Sequence, residues 1–221
     1  MFSTRSLMLK TSLLLLSLLA ALWGPQVITA SAVTPPPPVE PEPQPTTRSV
    51  LAPLANLIAS GESTNAGGYD AANRGYGMDL GVDGLVKVFG KPHEQITIGE
   101  ILDAQHRGQL HAAGRYQIIG VAMRHVLPHS GLSTEDYFNA ENQDKLFETI
   151  LRLKRPVVWA YLNGAASADA AADAISREWA AVAYWDGLGY YSGGQAHVTR
   201  PQILSELEQT RERMRMLTHD A

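Results

Sequence analysis

The chain has 221 residues, enough for one domain with a real core, and its 18 basic against 22 acidic residues give a formal net charge of −4. That balance offers no basic footprint for a nucleic-acid partner. Cysteine is absent, which excludes disulfides, a thiol nucleophile and a thiolate metal site, so the domain is held by its core alone.

The first thirty-two residues read as an export leader. Arg5 and Lys10 form a positive start, Leu13 to Trp23 is apolar except for Ser17, and Ala30-Ser31-Ala32 is a small-residue cleavage pattern. The apolar run is short of the roughly 20 residues that span a bilayer as a helix. The reading is therefore residues 1–32 as a signal peptide, with an uncleaved anchor as the alternative and the only route to a membrane. Both deliver the remainder to the periplasm or cell envelope, and loss of Arg5 and Lys10 makes it more acidic. Residues 33–48 follow as a linker, with seven prolines between Pro35 and Pro45 that favour a stiff, extended chain.

The domain is then 49–221, α+β and mainly helical. Leu51, Leu54, Leu57 and Ile58 share one face of a helix over 51–60, and Gly61 is expected to end it in a left-handed conformation, leaving Glu62 just beyond. A carboxyl group there, sheltered by the apolar body, is placed to have its pKa raised and to act as a general acid. Eight glycines between Gly61 and Gly90, mixed with Tyr69, Asp70, Asn73, Tyr76 and Asp79, predict loops or a small hairpin. Thr97 and Glu100 form a capping box for a helix burying Ile98, Ile101 and Leu102. Gly114 to Gln117 leads into an apolar stretch, Ile118 to Leu127, closed by Pro128 and Gly131. Asn139 caps a helix with Leu146, Phe147, Ile150 and Leu151 inward, which Pro156 ends or restarts. An alanine-rich helix is predicted over 168–184 with Ile175, Trp179 and Val182 on one face. Gly187 to Gly194 is a loop carrying Tyr190 and Tyr191, and Pro201 starts a closing helix with Ile203, Leu204, Leu207 and Met214 inward.

Three clusters stand in order: Glu62-Ser63, Gly114-Arg115-Tyr116-Gln117 and Ala183-Tyr184-Trp185. Together they resemble the lysozyme-like superfamily of peptidoglycan-cleaving enzymes, most closely the lambda-phage endolysin family. That likeness runs through Ala113 to Gln117, Gln143-Asp144, Trp179 and the Gly187-Leu188-Gly189-Tyr190-Tyr191 loop. It implies a lysozyme-like domain with a loop or hairpin region beside the cleft, Glu62 as the catalytic acid, and Gln117 and Tyr184 lining a sugar cleft. The Glu-Ser pair brings Ser63 to the substrate. Trp185 stands where the lytic transglycosylase motif has Asn.

Sugar recognition needs amides that donate and accept and aromatic faces against pyranose rings, which Gln117, Tyr116, Tyr184, Trp185 and Tyr190 offer. Tyr184 and Trp185 could equally be core, and Arg115 reads as a structural contact. Glu178 and Glu148 read as solvated helix faces. His125 and His129 have metal-ligand spacing, but Pro128 breaks the helix between them, so neither metal nor cofactor is expected. Hydrolysis would need a second carboxylate, for which Asp70, Asp79 and Asp83 are candidates. The resemblance points instead to one acid and a 1,6-anhydro product. The expectation is a monomeric peptidoglycan lytic transglycosylase acting on glycan strands, with hydrolytic muramidase and a non-catalytic wall-binding or assembly protein as alternatives.

Overall fold

The computed structural model describes residues 46–63, 67–76, 78–191 and 196–219. The leader at 1–32 and the linker up to residue 45 lie outside them. Helix α1 runs Thr47–Glu62, two residues ahead of the boundary drawn from composition. Thr46 and Ser49 form a reciprocal capping box there, satisfying amides that the first turn leaves free. At the other end Gly61 is inside the helix and does not terminate it, which corrects the expected left-handed stop; Ser63 is the C-cap. Gly61 is needed for a different reason. A Cβ at this position would meet the Ala181 Cβ at 2.7 Å, so α1 lies directly against the segment around residue 181.

A small antiparallel sheet is built from β1 (Ala72–Asn73), β2 (Ala112–Ala113) and β3 (Ile118–Ile119) in that order. Ala113 pairs with both Ala72 and Ile118. The glycine-rich region therefore does contribute a hairpin-like element, but it also holds a helix that composition hides, α2 (Gly84–Phe89). Gly84 lets α2 sit on β1, since a Cβ there would lie 2.7 Å from the Ala72 nitrogen.

Helix α3 (Ile98–His106) opens with the Thr97/Glu100 capping box. Helix α4 (Gly120–Val126) follows β3 without a loop, and α5 (Ala140–Thr149) is capped by Asn139, whose side chain accepts from the Asn142 amide. A π-helical turn, Ile150–Lys154, carries α5 onward, and Pro156 restarts the chain as α6 (Pro156–Leu162). Helix α7 is Ala168–Ser176 and α8 is Arg200–His219.

The helix expected over 168–184 thus stops eight residues early. Trp179 and Val182 are buried as their spacing suggests, but beyond Ser176 the backbone pairs with distant partners. The Ala183 amide donates to the Val198 carbonyl at 2.8 Å, Val182 bridges Val198, and Ala183 bridges Gly189. Long-range pairing overrides the local preference of alanine for helix. Glu178, read as a solvated face, is also corrected: its side chain is 6% exposed and paired with Lys154 at 2.6 Å and Arg155 at 2.7 Å.

The core joins Leu51, Leu54 and Ile58 of α1 to Phe147 and Ile150, to Ile175 of α7, and to Ile203 and Leu207 of α8. Each such side chain contributes about 1.5–3 kcal/mol when fully buried. The described chain is mainly helical with one small sheet, an α+β arrangement. Among the described residues no helix is long and apolar enough to cross a membrane.

Candidate active site

Glu62 is the last residue of α1. Its Oε1 accepts a hydrogen bond from the Ala181 backbone N–H at 2.9 Å. Burial strips water from the carboxylate and raises its pKa above the ordinary 4.5, while the Ala181 N–H, which favours the charged form, offsets part of the rise. Among the described residues no Lys, Arg or His is ion-paired with it. A carboxyl group in such a place holds its proton to higher pH and can give it to a leaving oxygen.

The second cluster and the segment that leads into the third are drawn to this end of α1. Ser63 Oγ donates to the Arg115 carbonyl at 2.6 Å, tying the helix end to the turn between β2 and β3. That turn is tight: Gly114 and Gln117 both have positive φ, at 75° and 45°, and the Gln117 amide donates to the Gly114 carbonyl at 3.1 Å. On the far side, Trp179 Nε1 donates to the Tyr116 carbonyl at 3.1 Å, two residues before the Ala181 amide that holds Glu62. Three segments remote in the sequence are thereby stitched together by three hydrogen bonds.

Not every residue expected to touch a ligand is free to do so. Ser63 is 2% exposed and its hydroxyl is spent on the Arg115 carbonyl, so it positions the site. Tyr116 is also 2% exposed; its ring stacks on Phe147 with centroids 4.5 Å apart, and its hydroxyl donates to Asp144 at 2.6 Å. Its face cannot receive a sugar ring, and it belongs to the core. Gln117 is half-buried, with Nε2 donating to the Gly114 carbonyl at 2.9 Å, so its amide braces its own turn.

Tyr184 is half-buried and accepts from Arg177 Nη2 at 2.9 Å. Tyr190 meets it edge-on at 5.2 Å, and the Arg177 guanidinium lies over both rings. Trp185, 67% exposed, and Tyr191 extend this surface, so the aromatic residues after Ala183 are presented to solvent and are not core. The rest of the loop, 192–195, lies outside the described residues.

No protein-family model, curated protein or solved structure matches the chain. Function must therefore be read from this chemistry. Of the candidate second carboxylates, Asp70 is committed to His93, taking its amide at 2.9 Å and Nδ1 at 2.8 Å. Asp79 accepts from the Gly81 amide at 2.9 Å, and Asp83 sits at the start of α2 without capping it. His125 and His129 are exposed, and among the described residues no three His, Asp or Glu are grouped to hold a metal ion.

Two supporting roles beside Glu62 were not legible in the sequence. Ala181 acts through its backbone, so no side chain could have announced it. Gln143 is fully buried, takes the Arg115 amide on Oε1 at 2.9 Å, and donates through Nε2 to the Tyr69 and Phe138 carbonyls at 3.1 and 2.8 Å. Its place in a polar helix face gave no sign that it supports the turn.

Proposed function

We propose that this protein is a peptidoglycan lytic transglycosylase that cleaves the MurNAc–GlcNAc bond with Glu62 as the sole general acid and base. The observation that carries the reading is the meeting of Glu62, the 114–117 turn and the 179–184 segment through the bonds from Ala181, Ser63 and Trp179. In the first step protonated Glu62 gives its proton to the glycosidic oxygen and the C1–O bond breaks. The resulting carboxylate then takes the proton of the muramic acid 6-hydroxyl, whose oxygen closes on C1 as a 1,6-anhydro ring. Glu62 ends protonated as it began, and no water is consumed.

A raised carboxyl pKa suits the first step. The commitment of Asp70 to His93 and of Asp79 to Gly81 favours one acid over two. The exposed rings of Trp185 and Tyr190, with half-buried Tyr184 between them, offer faces to pyranose rings. An export leader at 1–32 would bring the enzyme to glycan strands in the periplasm or envelope.

The test is mass spectrometry of products released from purified peptidoglycan. Anhydro-muramic ends are expected, with Glu62→Gln slower by about 10²–10⁴-fold, the usual worth of a general acid. Undiminished release by a folded Glu62→Gln would remove the assignment of the acid. Reducing ends would mean hydrolysis and direct attention to Asp83. Sedimentation with the wall and no release would mean a binding protein.

A further inference from the structure

We propose that a cavity beside the first half of α1 binds a small zwitterion of the α-amino-acid class. The cavity, about 90 Å³, lies between α1 and the side chains of Tyr69, Arg115 and Asp144, with exposed Ala52 and Asn56 on its lining. Glu62 does not line it: Ala55, which does, is seven residues earlier, roughly 10 Å along the helix axis. The volume holds several waters or a group of a few heavy atoms. It is well below the roughly 300 Å³ at which sites for larger ligands begin, so it suits a small ligand and not a chain of sugar rings.

Its charges select the ligand. Four charged side chains line it, of which Arg48 is paired with Glu141 and Glu148 with Arg152; Arg115 and Asp144 also face this space, yet among the described residues neither forms an ion pair, with the other or with any third group. Each is held by neutral partners instead. Asp144 Oδ1 accepts from the hydroxyls of Tyr69 at 3.0 Å and Tyr116 at 2.6 Å. Burial and the neighbouring carboxylate raise the pKa of both phenols, so they stay donors to Asp144. The Arg115 guanidinium donates to Asn56 through Nη2 and lies 4.9 Å from the Tyr69 ring centroid. Its Nε–H is buried without a hydrogen-bond partner, a costly state for a charged donor.

Opposite charges in one small cavity ordinarily collapse onto each other. Here the phenols and Asn56 hold them in place, and an α-carboxylate facing Arg115 with an α-ammonium facing Asp144 satisfies both. A ligand with one charge leaves the other side uncompensated.

The test is a titration of the full chain, followed by NMR, with glycine, with Nε-acetyllysine, and with acetate and methylammonium as the two halves. Glycine is expected to bind saturably, and each half at least about tenfold more weakly, the loss expected for one charge-assisted hydrogen bond. Tighter binding of Nε-acetyllysine would identify an amino-acid centre tethered through its side chain, as in an isopeptide, and tighter binding of glycine a free amino acid. Asp144→Asn and Arg115→Met should each weaken glycine by about tenfold or more. Ala52→Leu, at an exposed position, should block the cavity without touching the core. No saturable response to glycine, halves that bind as well as the whole, or full binding by Ala52→Leu would each overturn the proposal. Wall cleavage is a separate matter, since Glu62→Gln should bind glycine as the natural chain does.

Discussion

Glu62 gives up water at the end of α1 and receives the Ala181 N–H in exchange. The exchange is incomplete, which is why its pKa lies above 4.5 in the folded state. The sign of the resulting pH dependence follows from linkage. A folded-state value above the unfolded one means that the folded chain binds this proton more tightly, so the group's contribution is fully present below about pH 4.5 and is lost as pH rises to the folded value. The Glu62→Gln variant has no such proton to lose and keeps an acceptor for Ala181. In chemical denaturation at a series of pH values, it should gain stability relative to the natural chain as pH climbs above 4.5, with the gain levelling off once Glu62 is fully ionised. A constant difference across the range would mean that the carboxyl is not sheltered. The same scale explains Ser63 and Tyr116. Both residue types suit a sugar site by chemistry, but a hydroxyl already donating to Arg115 or Asp144 inside the protein is not on offer to a ligand.

Among the elements, α1 and the 177–184 segment depend on each other. Gly61 allows their close approach, and the approach is what puts Ala181 within reach of Glu62. Two effects of Gly61→Ala compete. Alanine favours the helix by about 1 kcal/mol, whereas overpacking against Ala181 costs about 1–3 kcal/mol. The contact is backbone-proximal, Cβ to Cβ at 2.7 Å, so little can give and the clash should win. Gly61→Ala is expected to lower the unfolding free energy by about 1 kcal/mol and to reduce any wall-cleaving rate through a displaced Ala181. A more stable variant would show that the two segments can separate freely. The early end of α7 belongs to this scale too. Residues after Ser176 leave the helix because Val182 and Ala183 find partners at Val198 and Gly189, and those partners lie in another part of the chain.

At the scale of the molecule, Gln143 joins parts that no single element connects. From α5 it reaches the Arg115 amide, the Tyr69 carbonyl and the Phe138 carbonyl, and so bridges the turn beside Glu62, the segment leading to β1 and the entry to its own helix. Nothing larger than glycine fits opposite it, since a Cβ at Gly114 would lie 2.2 Å from Gln143 Oε1. Gln143→Ala strands one buried and two part-buried backbone groups, a buried one costing about 1–3 kcal/mol when unsatisfied. A loss of about 3 kcal/mol or more is expected in urea denaturation, together with faster amide exchange at Arg115. A loss under 1 kcal/mol would mean that water replaces the side chain fully.

The legible part of this protein is the part governed by neighbours in the chain. The Thr97/Glu100 capping box, the apolar face of α1, the Asn139 cap and the inward residues of α8 follow from contacts three or four residues apart, and they are where the sequence places them. The mainly helical class follows from the same short-range chemistry, whereas interest in Glu62 rests on the resemblance carried by three separated clusters. What lies across the fold could not be read this way. The salt bridges around Glu178, the burial of Tyr116 and the reach of Gln143 to Arg115 and Tyr69 are decided by partners tens of residues distant, and the end of α7 by partners beyond the reach of a helical turn. Hydrogen bonds and packing form wherever the folded chain brings groups together. Local sequence therefore determined most helix starts and their apolar faces, and tertiary structure alone decided where α7 ends, which polar groups are spent on the fold and which remain free for chemistry.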